Sequence, residues 1–114
     1  MPNRWVRMSL HRIIEKELMQ HPELAEVVVV GIADTKRGEI PVAVVVFKVT
    51  DPPPADVTAR LSSWLRERGN LSHLQMPAKI IAFKTLEEFK NPIGKVLRRR
   101  LKEEVARSLF VRIM

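Results

Sequence analysis

At 114 residues the chain is long enough for one domain with a modest core and too short for a second independent one. It has no cysteine, which excludes disulfides, thiolate metal sites and a cysteine nucleophile and fits a reducing compartment. Twenty Lys and Arg against 13 Asp and Glu give a net charge of +7, compatible with an anionic partner such as a nucleotide, coenzyme A, acidic lipid or nucleic acid. With no tyrosine and no aromatic platform for stacking bases, the nucleic-acid reading is not favoured.

Leu10, Ile13, Ile14 and Leu18 recur at helical spacing after Ser9, a good N-cap, and His21-Pro22 closes this first helix. Val27–Ile32 and Val42–Phe47 are β-branched runs separated by the Asp34-to-Gly38 turn and read as a hairpin with a long polar turn. Both runs are nearly continuously apolar, which places them in a sheet that helices cover, with Pro41 marking a strand start or edge. Asp51-Pro52-Pro53-Pro54 is a stiff connecting loop. Val57, Leu61, Trp64 and Leu65 mark a second helix, with Asp56 as cap, Gly69-Asn70 as stop and Trp64 in the core. Ala78–Phe83 is expected to form a third strand, and Leu97, Leu101, Val105 and Leu109 stripe a third helix. The expected fold class is α+β, a small mainly antiparallel three-stranded sheet packed against helices in the order α-β-β-α-β-α, spanning 1–114 as a single domain.

No apolar run approaches the roughly 20 residues needed to span a bilayer, and the N-terminus lacks an apolar signal core. The C-terminus matches no peroxisomal or retention tripeptide, so a soluble, cytoplasmic protein is expected. His11, His21 and His73 have no ligand partner at helical spacing, and no metal site is expected. The serines lack a nucleophile-elbow context, and Glu87-Glu88 reads as an exposed loop pair. Arg98, Arg99, Arg100 and Lys102 spread over several faces of the third helix, with Glu103 and Glu104 four positions after Arg99 and Arg100, and read as a solvated surface.

The stretch Asn91-Pro92-Ile93-Gly94-Lys95-Val96-Leu97-Arg98 carries the most chemistry. Pro92 fixes its own φ and Gly94 can take angles closed to other residues, so the loop can present the Lys95 ammonium at a defined place. It is not a phosphate-binding P-loop, because position 89 is Phe and Val96 replaces the required Ser or Thr. On loop chemistry alone, Lys95 reads as an ordinary surface lysine at a helix start.

Taken in order, several signals resemble the small C-terminal domain of the adenylate-forming superfamily: acyl-CoA synthetases, aryl-CoA ligases, luciferases and nonribosomal-peptide adenylation domains. They are Ile14-Glu15, Leu18, His21-Pro22, Ala25–Ile32, Asp34, Gly38-Glu39, Ala43, Pro77, Phe83 and Asn91–Arg99. The resemblance implies that Lys95, following Gly94, reaches into the active site of a large N-terminal domain and contacts the carboxylate substrate and ATP oxygens during adenylation. It implies that the small domain then rotates for the thioester step with coenzyme A, and that Arg66 or Arg68 contacts the coenzyme A nucleotide phosphate. ATP, AMP and coenzyme A are therefore expected only where a large domain is supplied, in cis or in trans, and adenylation by these 114 residues alone is not expected.

Three departures from the family pattern stand in the chain. The segment Trp5-Val6-Arg7-Met8-Ser9 lacks the glycine of the loop that lines the pantetheine tunnel in coenzyme A ligases, Phe89 replaces the usual proline, and Leu74-Gln75 replace Tyr-Lys. The alternatives are a freestanding interaction or regulatory module derived from this domain and, less favoured, a basic nucleic-acid-binding module. Self-association through the surface that a large domain would cover is a further expectation.

Overall fold

The computed structural model describes residues 9–49 and 56–113, with side chains through Leu109 in the last helix. Ser9 caps helix α1 (Leu10–Leu18), its hydroxyl accepting from the Arg12 N–H at 3.3 Å. The chain leaves α1 at His21, whose Nδ1 accepts from the Glu23 N–H at 3.1 Å. Strands β1 (Leu24–Asp34) and β2 (Gly38–Phe47) then pair antiparallel from end to end. Helix α2 (Val57–Arg68), strand β3 (Lys79–Ala82) and helix α3 (Arg98–Ile113) follow, with single 3-10 turns at His73–Gln75 and Glu87–Phe89. The sheet order is β1-β2-β3, and β3 runs parallel to β2 from Val42/Lys79 to Val45/Ala82. The expected α+β class and element order hold, in a mixed, mostly antiparallel sheet.

The unbroken valine runs have a direct cause: β1 and β2 are covered on both faces. One face carries Val29, Ala43, Val45 and Phe47 against Ile14 and Leu18 of α1 and Leu61 and Leu65 of α2. The opposite face carries Val28, Val30, Ile32, Val42, Val44 and Val46 against Leu86, Phe89 and, from α3, Leu101 and Val105. With successive strand side chains pointing to opposite faces, a two-sided sheet needs an apolar residue at every position rather than every second one.

Several local expectations are corrected. The hairpin turn is short, only residues 35–37, because both strands run on to Asp34 and Gly38. Asp34 Oδ2 accepts from the Lys36 and Arg37 amides at 3.2 and 2.8 Å, and Gly38 takes a positive φ of 84° that closes the turn. Pro41 lies inside the central strand opposite Gly31, tolerated because pairing with β3 begins only at Val42; its carbonyl accepts from the Ala78 N–H at 2.8 Å. Asp56 occupies the N-cap position of α2 in the left-handed region, and its side chain makes no capping bond. Trp64 is only partly buried, edge-on to His21 at 4.7 Å between ring centroids. Leu97 precedes α3 and is 36% exposed, so the buried stripe starts at Leu101. The third strand is shorter than expected, four residues, and the proline loop at 51–54 and the segment 5–8 lie outside the described residues.

Both open edges of the sheet are blocked at mid-strand by side chains. On β3, the Thr58 hydroxyl donates to the Ile80 carbonyl at 2.8 Å and accepts from the Ile80 N–H at 3.1 Å. On β1, Glu15 Oε2 accepts from the Val29 N–H at 2.7 Å, and Arg98 donates to the Val29 carbonyl at 3.0 Å. Each pair of contacts supplies what a neighbouring strand would, and removes a template for edge-to-edge association.

Candidate functional site

The loop that carries Lys95 is closed at its base by an antiparallel bridge between Lys90 and Val96 and by the Leu97 N–H donating to the Phe89 carbonyl at 2.7 Å. Within it, residues 91–94 form a β-turn in which the Gly94 N–H donates to the Asn91 carbonyl at 2.9 Å. Asn at the first position, Pro at the second and Gly at the fourth is the sequence pattern this turn favours. Gly94 has φ +89°, a conformation that strains any residue with a Cβ, and nothing else crowds it within 4 Å. The glycine is there for backbone angle, not for space.

Each end of the loop is tied to the body of the domain by charge. At the start, Lys90 Nζ lies 3.0 Å from Glu26 on β1 and 2.8 Å from Glu87. The hydrogen bond to Glu87, then that to Glu26, holds the Lys90 ammonium above the usual lysine range. At the far end, Arg98 meets Glu15 in a two-pronged contact, 2.8 and 3.3 Å, while also donating to Val29. Arg98 therefore does not belong to the solvated basic surface expected of it: as the first residue of α3 it faces the open edge of β1. Glu104 pairs with Arg107 at 3.1 Å rather than with Arg100, in keeping with the preference for acid before base along a helix.

Lys95 itself is exposed, and among the described residues it has no acidic partner. Beside it, Ile93 is 85% exposed at the loop tip. An ammonium without an acidic partner and an uncovered isoleucine are thus both exposed on a loop whose backbone is hydrogen-bonded.

Arg66 and Arg68 lie elsewhere. They end α2, which covers the face of the sheet opposite to the one packed by Phe89 and Leu101 on either side of the lysine loop. No hydrogen bond or ion pair among the described residues joins them to that loop. Arg68 is engaged within the chain: its Nε donates to Glu17 at 3.0 Å and its guanidinium lies 4.8 Å from the Trp64 ring centroid. Arg66 is exposed on the rim of a shallow depression of about 710 Å³, lined also by Thr58, Ser62 and Lys79. No group of His, Asp and Glu that could hold a metal ion occurs among the described residues, and no helix there is long and apolar enough to cross a membrane.

Sequence reasoning missed the work of Asn91, Glu15 and Lys90. Asn91 had a usable signal, since Asn ahead of Pro-x-Gly is a turn-initiating pattern. The Glu15–Arg98 contact joins residues 83 positions apart, which no local pattern reveals.

Residues 13–95 match the AMP-binding enzyme C-terminal domain family. Acetyl-coenzyme A synthetase of Pyrobaculum arsenaticum is 31% identical over 101 residues, covering 85% of this chain and 14% of that protein. The long-chain-fatty-acid–CoA ligase of Bacillus subtilis is 39% identical over 93 residues, covering 82% and 15%. Among solved structures, apo MatB from Rhodopseudomonas palustris matches with a TM-score of 0.71 at 30% identity, over 84% of this chain and 18% of that one. The chain thus spans about one seventh of the length of these two curated relatives.

Proposed function

Because the chain belongs to the AMP-binding enzyme C-terminal domain family, the small domain of adenylate-forming, acyl-CoA synthetase-like enzymes, we propose that it acts as a lid and that Lys95 is the cation it delivers. The receiving site, with ATP and a carboxylic acid, belongs to a large N-terminal domain. There a carboxylate oxygen attacks the α-phosphorus, the new acyl–oxygen–phosphorus bond forms, and the bond to the β-phosphate breaks with its electron pair leaving as pyrophosphate. Charge is redistributed among oxygens throughout, and a placed ammonium stabilises it without giving up its proton.

The observation that carries this reading is the contrast between Lys95 and the two cations that bound its loop, Lys90 and Arg98. Lys90 and Arg98 on either side are spent on Glu26, Glu87 and Glu15, whereas Lys95 has no such partner among the described residues and stands on a braced loop. With both ends of that loop tied to β1 or to α1 beside it, Lys95 moves with the domain rather than by itself. Its arrival for adenylation and departure for the thioester step are then carried by rotation of the whole small domain. For the coenzyme A phosphate, Arg66 is the arginine left, because Arg68 already serves Glu17 and Trp64.

The test is ATP/pyrophosphate exchange by the chain combined with a large adenylating domain. Lys95→Ala is expected to slow exchange by on the order of 100-fold or more, the scale on which removing one transition-state donor acts. An unchanged rate would remove Lys95 from the mechanism.

A further inference from the structure

We infer that Asn91 is the positioning residue for Lys95, fixing the backbone from which the ammonium is presented. Its Oδ1 accepts from two amides, the Ile93 N–H at 3.1 Å and the Lys95 N–H at 3.0 Å. Its own N–H donates to the Lys95 carbonyl at 2.9 Å, and its carbonyl accepts from Gly94 at 2.9 Å. One residue thus holds both peptide groups of Lys95 as well as the amides of the two residues before it. The side chain replaces the backbone partners that an exposed five-residue loop lacks, the usual means by which Asn organises a turn.

The consequence is entropic. A lysine on a loop free to sample many conformers must be ordered as the site closes, and that cost is taken from the interaction in the transition state. Here the ordering precedes closure, leaving only the side-chain rotors of Lys95 to be fixed. The charged ties at Lys90 and Arg98 set where the loop stands, and Asn91 sets its internal shape. Neither Pro92 nor Gly94 can substitute: Pro92 fixes φ and Gly94 permits a positive φ, but neither has a side-chain acceptor for the loop amides.

The inference rests on the reading of Lys95 given above, and two measurements separate their failures. Amide hydrogen exchange on the full chain reports the geometry alone. In Asn91→Ala the amides of Ile93 and Lys95 should exchange at least about tenfold faster, while Asn91→Asp, which keeps the acceptor oxygens, should retain protection. Protection unchanged in Asn91→Ala would overturn the positioning role whatever the activity. ATP/pyrophosphate exchange with a large domain then reports its use: kcat should fall roughly tenfold in Asn91→Ala with KM for ATP little altered, because an interaction made in the transition state is weakened. A normal kcat in Asn91→Ala beside a crippled Lys95→Ala would overturn the catalytic half. A normal Lys95→Ala would instead overturn the lysine reading itself, and this inference with it.

Discussion

Replacing Arg98 by alanine tests whether the open edge of β1 is held by side chains. The substitution takes two bonds from the Glu15 carboxylate, at 2.8 and 3.3 Å, and one from the Val29 carbonyl, at 3.0 Å. A hydrogen bond to a charged partner contributes about 1.5–3 kcal/mol when water is excluded. The Arg98 side chain is 50% exposed, so water takes over part of the lost contact and screens the charge, which brings the expected cost to about 1–2 kcal/mol. Glu15→Ala should cost more. Glu15 is only 14% exposed, and its loss strands the Val29 N–H, an unsatisfied donor worth about 1–3 kcal/mol in addition, for a total of about 2–5 kcal/mol.

Urea unfolding of the full chain, followed by circular dichroism, measures both variants and the double substitution. The two singles should not add: removing either partner already removes the pair, so the double variant should fall short of the sum by about 1 kcal/mol. In thermal melts each kcal/mol should appear as roughly 4 °C in a domain of this size. Arg98→Lys should recover less than half, since an ammonium cannot present the guanidinium fork to a carboxylate and a carbonyl together. Additive singles, or an Arg98→Ala protein within about 0.3 kcal/mol of the parent, would refute the edge-blocking argument.

Two further outcomes follow from single contacts. Lys90 is held by Glu87 and Glu26 above its ordinary value of 10.5, so its ionised form contributes fully below 10.5 and loses that contribution as pH rises through the folded-state value; the stability gap between the parent and Lys90→Met should narrow in alkali, and an equal gap at neutral pH and above about pH 11 would contradict the pairing. At Gly31 an added Cβ would collide with the Glu39 carboxyl group, yet Glu39 is 58% exposed and its ion pair with Lys102 is long at 3.9 Å, so the side chain can swing aside at little cost. Alanine also gains about 0.5–1 kcal/mol over glycine in a strand, so Gly31→Ala should lie within about 0.5 kcal/mol of the parent by urea midpoint, and a loss above about 2 kcal/mol would show that Glu39 cannot move.

The elements that could be read from the sequence are those whose cause is local. Ser9 ahead of an apolar helical stripe, the valine runs and Gly69 after the second helix each act on neighbouring residues, and each stands where expected. The misplaced details depend on what lies across the domain. Asp56 has a capping side chain in name but takes a left-handed backbone and makes no capping bond, and Leu97 fits the periodicity of α3 yet precedes its first turn. Pro41 reads as a strand start or edge, but the central strand runs through it from Gly38, which is possible because pairing with β3 begins only at Val42.

The same division runs through the candidate site. Pro92, Gly94 and Lys95 could be singled out because a restricted φ, a permissive φ and a charge are properties of single residues. What makes their loop a fixed platform comes from residues whose types are unremarkable alone: a half-buried Asn, Glu87 one turn before Lys90, and acids at 15 and 26 that face cations at 98 and 90 only once α1 and β1 have packed. For the same reason, net charge does not single out Lys95. A surplus of seven positive charges suggests a basic surface, but around this loop the cations at 90 and 98 are neutralised by partners distant in the chain or across a turn. A local count therefore makes all the cations from Lys90 to Lys102 look alike, and it is the pairing of Lys90 and Arg98 that sets Lys95 apart from its two neighbours.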